Sequence, residues 1–277
     1  MLGIIDLLRL KGLDCGARVK LVRHQNAKYD LYELMVTGHL ETYQSYQAKP
    51  VFNCDYIVAF FGMPGNKARF IGIYEVGNRW PVKDRPPPPD YPLEISPEEF
   101  QYELNELPGF DDLKERVVID WGKSTRAWHQ WLADKEVIEI LPAGYARPFP
   151  GYLDFILPFN ELRRICDYPE ANREWHTSLK AVAGIYLIVD TLDGSQYVGS
   201  AYGPSGIMGR WHEYSRNGHG GNKRLIELTT QNPDAPERFR FSLLRTLSKS
   251  LTSKEVITFE NFYKQKLGTR AFGLNDN

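Results

Sequence analysis

Residues 184–190 (GIYLIVD) form an apolar run of strand length, and residues 196–199 (QYVG) resume it after the turn dipeptide Asp193-Gly194. Two such runs around a turn signal read as a β-hairpin. No other stretch restricts the fold as much, because the register of a hairpin decides which side chains share a face. With a loop of two or four residues, Tyr186 and Tyr197 point to the same face; a three-residue loop with a bulge would separate them. Two phenols on one face place two polar tips over an apolar sheet. They are either functional groups or a core tyrosine pair with satisfied hydroxyls.

The residues that follow continue the pattern of alternating elements. Pro204-Ser205 reads as a helix start and Gly218 as its stop. Arg210 and Tyr214 are then neighbours on one face of that helix. A guanidinium there can hold two phosphate oxygens at once; the plainer reading is a solvated surface arginine. His212 and His219 read as surface or turn residues. Residues 237–247 (ERFRFSLLRTL) alternate Phe239, Phe241 and Leu243 with Arg238, Arg240 and Ser242, as a half-exposed strand does. Thr252 and Glu255 form a capping-box pattern at the next helix start, which gives Glu255 a structural job. Glu260 has no such job: it lies with Val256 and Tyr263 on the apolar stripe, where a carboxylate is costly unless paired or bound to metal. Asn275 lies near the C-terminus; alone it would read as a frayed end.

In this order, Gly184-Ile185-Tyr186, Tyr197-Val198-Gly199, Arg210 and Tyr214 on a helix, Glu260 on a second helix and a final Asn275 resemble the GIY-YIG nuclease family. The resemblance covers about the last hundred residues. It implies a small three-stranded antiparallel sheet flanked by helices, and metal-dependent hydrolysis of phosphodiester bonds. It assigns Glu260 to hold Mg²⁺ or Mn²⁺, with waters and a phosphate oxygen as the other ligands. Tyr186 would take the proton of the attacking water, provided that Arg210 and the metal lower its pKa from the ordinary value of about 10. Arg210 would neutralise the transition state, Tyr197 and Tyr214 would position water or phosphate, and Asn275 would orient or support the site. The implied products carry 5′-phosphate and 3′-hydroxyl ends. Where some members have a histidine one turn after the arginine, this chain has Tyr214, as the repair-type members do. The chain departs from several members in having Ser200-Ala201 where a lysine follows the second motif. The group assisting the base would then be Tyr197 or a water.

The 277 residues suit two domains. The expected architecture is α+β: a substrate-recognition domain over 1–165, a linker helix within 166–183 anchored by Trp175, and the nuclease-like domain over 184–277. In the first domain, residues 18–24, 31–37, 55–61, 69–76, 116–121 and 136–141 read as short strands of a curved sheet or small barrel. Residues 96–107 read as an acidic helix capped by Ser96, and residues 1–10 as a short packing helix. Trp128 and Trp131 sit at helical spacing. Trp80, Trp121, Trp128 and Trp131 are either core residues or platforms on which a base stacks. The proline-rich residues 81–92 (PVKDRPPPPDYP) are a stiff surface loop or a ligand for a proline-reading module.

The net charge of −1 lacks the basic footprint usual for a nucleic-acid enzyme. Lys223, Arg224, Arg238, Arg240 and Arg245 offer local contacts to a phosphate backbone. The three cysteines form no metal-binding or disulfide pattern. The N-terminal apolar run is too short to span a membrane, so the cell interior is the expected location. The reading that follows is an endonuclease acting on duplex DNA, in restriction or defence against foreign or modified DNA. The alternatives are a repair nuclease selecting branched or damaged DNA, and a regulator that binds without cutting. A duplex break would require a homodimer or two sequential nicks.

Overall fold

The computed structural model describes residues 2–275 apart from 27, 30 and 124–126. The chain forms two compact units, Met1–Ala143 and Gly144–Asn277. Both mix helices with sheet, as the sequence leads one to expect.

The first unit contains α1 (Ile4–Leu10), β1 (Val19–His24), α2 (Leu31–Val36), α3 (Leu40–Ser45), β2 (Tyr46–Gln47), β3 (Tyr56–Gly62), β4 (Lys67–Pro81), β5 (Phe100–Glu106), β6 (Val117–Asp120), β7 (His129–Trp131) and β8 (Val137–Ile140). Its eight strands make one mixed sheet in the order β2-β5-β4-β3-β1-β7, with β6 and β8 branching from β4. β1 and β3 are parallel and the other pairs antiparallel. The long β4 is shared along one edge by β6, against Lys67–Arg69, and by β5, against its C-terminal half. Register irregularities in β3–β4, β4–β5 and β6–β8 curl the sheet into a half-barrel. Both faces are covered. Val58 and Phe60 pack on one side with Ile4 and Leu8 of α1, and Ile57, Ala59 and Phe61 on the other with Leu31, Leu34 and Leu40. The unbroken apolar run of β3 reflects this double burial.

Three expectations for this unit are corrected. Residues 31–36 are helical: Leu31 and Leu34 are both buried, a three-residue spacing that only a helix places on one face. Residues 100–106 are a strand, because Phe100, Tyr102 and Leu104 alternate toward the core while β4 supplies the ladder. Ser96 caps only a turn there. Trp131 lies on β7, with Trp128 just before it, rather than on a helix. Of the tryptophans, Trp121 is core and Trp128 packs against Phe52, whereas Trp131 is 52% exposed with the Lys20 ammonium 4.8 Å from its ring centre. Trp80 carries the Arg85 guanidinium 3.5 Å from its ring centre.

The second unit contains β9 (Leu157–Pro158), α4 (Phe159–Asp167), α5 (Arg173–Ala181), β10 (Ala183–Asp190), β11 (Gln196–Ala201), α6 (Gly206–Asn217), α7 (Lys223–Gln231), β12 (Phe239–Leu247), α8 (Ser253–Leu267) and α9 (Thr269–Phe272). The sheet is antiparallel with the order β11-β10-β12-β9. It has one strand more than expected, because residues 157–158 pair with Phe241 and Arg240. Residues 155–166 and α5 are part of this core: Phe155, Leu157, Phe159, Leu162 and Trp175 pack with Tyr186, Trp211 and Phe241. α8 covers the opposite face through Val256, against Ile185 and Val198. The expected capping box forms, with Thr252 Oγ1 accepting from Glu255 N–H and Glu255 Oε2 accepting from Thr252 N–H. Among the described residues, no helix is long and apolar enough to cross a membrane.

Candidate functional site

The β10–β11 hairpin sets the geometry. Asp190 N–H donates to Ser195 O and closes a loop of four residues, 191–194. Tyr186 therefore pairs with Gly199, and Ile188 with Tyr197, so Tyr186 and Tyr197 do share a face. On the other side of β10 the register slips between Ile185 and Tyr186, a bulge that locally increases strand twist at the tyrosine. Gly199 is required by the phenol opposite it. A Cβ there would lie 2.3 Å from Tyr186 Oη and 2.4 Å from Cζ, so the ring occupies the space of the missing side chain. Gly220 plays the same part for Tyr214: its φ is +53°, and a Cβ would meet the Tyr214 ring at 2.7 Å.

α6 brings Arg210 to this face. Its Nε donates to Tyr186 Oη at 3.2 Å and its Nη2 to Tyr214 Oη at 3.4 Å. The two phenol oxygens are 3.1 Å apart and hydrogen-bonded. Arg210 Nη1 pairs with Glu213, one turn along the same helix. A guanidinium carries five N–H donors, so some remain for an anion. Tyr214 is fully buried and supports the cluster from beneath. Burial, followed by the neighbouring Tyr197 phenol, pushes the pKa of Tyr186 up; Arg210 pulls it down but does not prevail. Burial and the Tyr186 phenol raise Tyr214 still more clearly. With these protein groups alone Tyr186 is a neutral phenol at neutral pH: Arg210 acts in the expected direction, but burial outweighs it.

β11 is an edge strand, and Ser200 points to the face covered by α8. Ser200 Oγ donates to Glu260 Oε2. Lys264, one turn after Glu260, places its ammonium 2.7 Å from Glu260 Oε1. Groups from both sheet faces thus meet across the edge of β11. They line one cleft of about 790 Å³ that includes Tyr186, Tyr197, Arg210, Glu213, Glu260 and Lys264. Asn275 is not at this cleft. It is 1% exposed, accepts from Val198 N–H at 2.9 Å and donates to Val198 O at 2.8 Å. Its amide therefore satisfies the outer edge of β11 as a further strand would.

Tyr186, Tyr197, Arg210, Tyr214 and Glu260 are brought together, and Asn275 supports the strand that carries one of them. Ser200, Glu213, Lys264 and Arg270 also line the cleft, and the spacing of Ser200, Glu213 and Arg270 does not single them out. A signal for Lys264 did exist: it stands four residues after Glu260, the favoured order for a helical Glu–Lys pair. The five basic residues expected to follow a phosphate backbone are absent from this lining. Arg238 instead forks onto the buried Asp190, with both bonds 3.0 Å, and Arg224 donates to Gly273 O at 2.6 Å. Arg245 lies over the Phe259 ring. His212 is exposed, and His219 Nδ1 accepts from Gly221 N–H within a turn, as expected.

Among the described residues no group of three or more His, Cys, Asp and Glu converges as a metal cluster. Among the described residues, Glu260 is the one carboxylate that faces the cleft without being the partner of Arg210. A carboxylate offers about four lone-pair positions, of which Ser200 and Lys264 each occupy one. That donor set fits magnesium or manganese held by a single carboxylate with water and phosphate oxygens completing the shell. It does not fit a zinc site, which needs several protein ligands.

No protein-family model matches the chain, and no curated protein matches it. Among solved structures, it is similar to the catalytic domain of the intron endonuclease I-TevI in its E75A mutant, at 24% identity over 35% of this chain and 94% of that one, with a TM-score of 0.28. A second structure, the catalytic domain of the homing endonuclease I-TevI, shares 23% identity over 34% of this chain and 96% of its own, with a TM-score of 0.26. Such TM-scores do not establish a common fold.

Proposed function

We propose that this protein is a metal-dependent endonuclease of the GIY-YIG type that hydrolyses phosphodiester bonds of duplex DNA, with the first unit selecting the substrate. The biological setting we propose is restriction or defence within the cell. The observation that carries the reading is the meeting of Tyr186, Arg210 and Glu260, from a strand and two helices, around one cleft. A phosphate fits between a guanidinium with free donors and a carboxylate suited to Mg²⁺ or Mn²⁺.

In this reading Arg210 binds a non-bridging phosphate oxygen and offsets the charge that grows in the transition state. Tyr197 borders the same space and limits where the substrate can sit. Tyr186 Oη, held by Arg210 and Tyr214, accepts a hydrogen bond from the attacking water. It takes the proton fully only as phenolate, the form that burial disfavours. Tyr214 fixes the direction of the Tyr186 hydroxyl, and Asn275 keeps β11 in place beneath Tyr197. Glu260 would hold Mg²⁺ or Mn²⁺, which when bound supplies Lewis acidity to the phosphate and stabilises the leaving 3′ oxygen.

The test is cleavage of labelled plain duplex, base-modified duplex, branched DNA, single strands and RNA with Mg²⁺ or Mn²⁺, using wild type and Glu260→Gln. Cutting of duplex that falls at least about a hundredfold in the variant is expected, the scale seen when one electrostatic group leaves an active site. Preference for branched DNA would replace restriction by repair. No cleavage of any substrate would sink the enzyme reading.

A further inference from the structure

We infer that Lys264 is a built-in counter-cation of Glu260 that competes with a divalent metal for the carboxylate, so that metal can load only when Lys264 gives up its ion pair. This rests on the reading of Glu260 as the metal-holding residue.

An ordinary helical Glu–Lys pair four residues apart lies in solvent and contributes little. This one does not. Lys264 is only 4% exposed, and its ammonium lies 2.7 Å from Glu260 Oε1. A lysine is almost never so buried unless its charge has a partner. The pair also sits in the wall of the cleft, with both residues lining it. The second carboxylate oxygen receives the Ser200 hydroxyl.

The two cations cannot be accommodated together without strain. Magnesium binds carboxylate oxygen at about 2.0–2.1 Å and demands near-octahedral geometry. With the ammonium already against Oε1 and the hydroxyl against Oε2, a metal would stand beside a like charge in a half-enclosed site. Charge repulsion there is stronger than in bulk water. Arg270, a further cation lining the same cleft, adds to the unfavourable field for a bare metal ion, whereas the charge of Arg210 is offset by Glu213. A phosphate entering the cleft relieves it, because the displaced ammonium and both guanidiniums then face an anion. Metal loading is thereby tied to the arrival of substrate, and the empty site stays neutralised by the protein itself.

The test is calorimetric titration of the full chain with Mn²⁺, without nucleic acid, for wild type, Lys264→Met, Lys264→Gln, Lys264→Arg and Lys264→Met combined with Glu260→Gln. Melting temperatures report whether each variant is folded. Removing the charge is expected to tighten Mn²⁺ binding at least tenfold in Lys264→Met and in Lys264→Gln, whereas Lys264→Arg should bind as wild type does. Unchanged or weaker binding in the folded neutral variants would overturn the inference and leave Lys264 as a residue that merely holds Glu260 in position. A different outcome marks failure of the underlying reading: Lys264→Met binding Mn²⁺ tightly and equally well with and without the added Glu260→Gln substitution.

Discussion

Gly199→Ala is the sharpest perturbation of the site, because it adds one methyl group and removes nothing. Gly199 is not among the glycines with positive φ, so its backbone conformation admits alanine. The difficulty is entirely the phenol across the hairpin. The new Cβ would lie 2.3 Å from Tyr186 Oη, whereas ordinary contact begins near 3.4 Å, so the ring must move by about 1 Å. That movement breaks or lengthens the 3.1 Å bond to Tyr214 and the 3.2 Å bond from Arg210. Overpacking costs about 1–3 kcal/mol. Loss of these two hydrogen bonds, one buried and one part-buried, adds about 1 kcal/mol each. A destabilisation of about 3–5 kcal/mol corresponds to a fall of roughly 10–20 °C in the melting temperature of a unit of this size. If Tyr186 positions the attacking water, a 1 Å misplacement also slows single-turnover cleavage by about a hundredfold. Thermal melts followed by near-ultraviolet circular dichroism read the first quantity, and a quenched-flow cleavage assay the second. Gly194→Ala is the control. Gly194 has φ +77° and open space around its Cβ, so only backbone strain of about 1 kcal/mol is expected and the rate should hold. A Gly199→Ala protein that melts within about 2 °C of wild type would refute the packing argument on which these magnitudes rest.

Three further outcomes are expected. Asn275→Ala should lower stability by about 2 kcal/mol in urea titrations, because both bonds to Val198 are buried; Asn275→Asp should fare no better, since a carboxylate cannot donate to Val198 O. Because burial raises the Tyr186 pKa, the phenolate is the minor form near neutrality. The single-turnover rate should then climb about tenfold per pH unit between about pH 7 and 9, and a flat profile in wild type would rule out Tyr186 as the base. In the first unit, burial depresses the pKa of His24 to about 4, although the Gln44 hydrogen bond opposes this. The unfolded chain takes up the proton first, so stability should be full above about pH 6.5 and fall by up to about 3 kcal/mol as pH drops to about 4, a slope that His24→Gln should remove.

Much of the second unit was legible because its signals are local. Alternation along residues 239–243, the Thr252–Glu255 cap and the glycine stops of α6 and α8 each depend on neighbours a few residues away. The errors in the first unit arose where local signals compete. Ser96-Pro97-Glu98-Glu99 carries a helix-start pattern, yet the edge of β4 offered a ladder and the alternating Phe100, Tyr102 and Leu104 a core face, and pairing prevailed. Residues 31–36 are equally short and apolar, and only the burial of Leu31 with Leu34 distinguishes helix from strand.

For the site, the sequence by itself determined the chemistry on offer: two tyrosines in one hairpin, an arginine on a helix, and a carboxylate on an apolar stripe. It also contained the parity rule that puts Tyr186 and Tyr197 on one face, conditional on the loop. The loop length, the direction of the Tyr186 pKa and the burial of the Lys264–Glu260 pair were decided by tertiary structure alone. Each depends on what lies across a sheet or between a helix and a strand edge. Desolvation and charge proximity are properties of three-dimensional neighbours, and residues as distant in the chain as Ser200 and Glu260 become neighbours only when the helices close on both faces of the sheet.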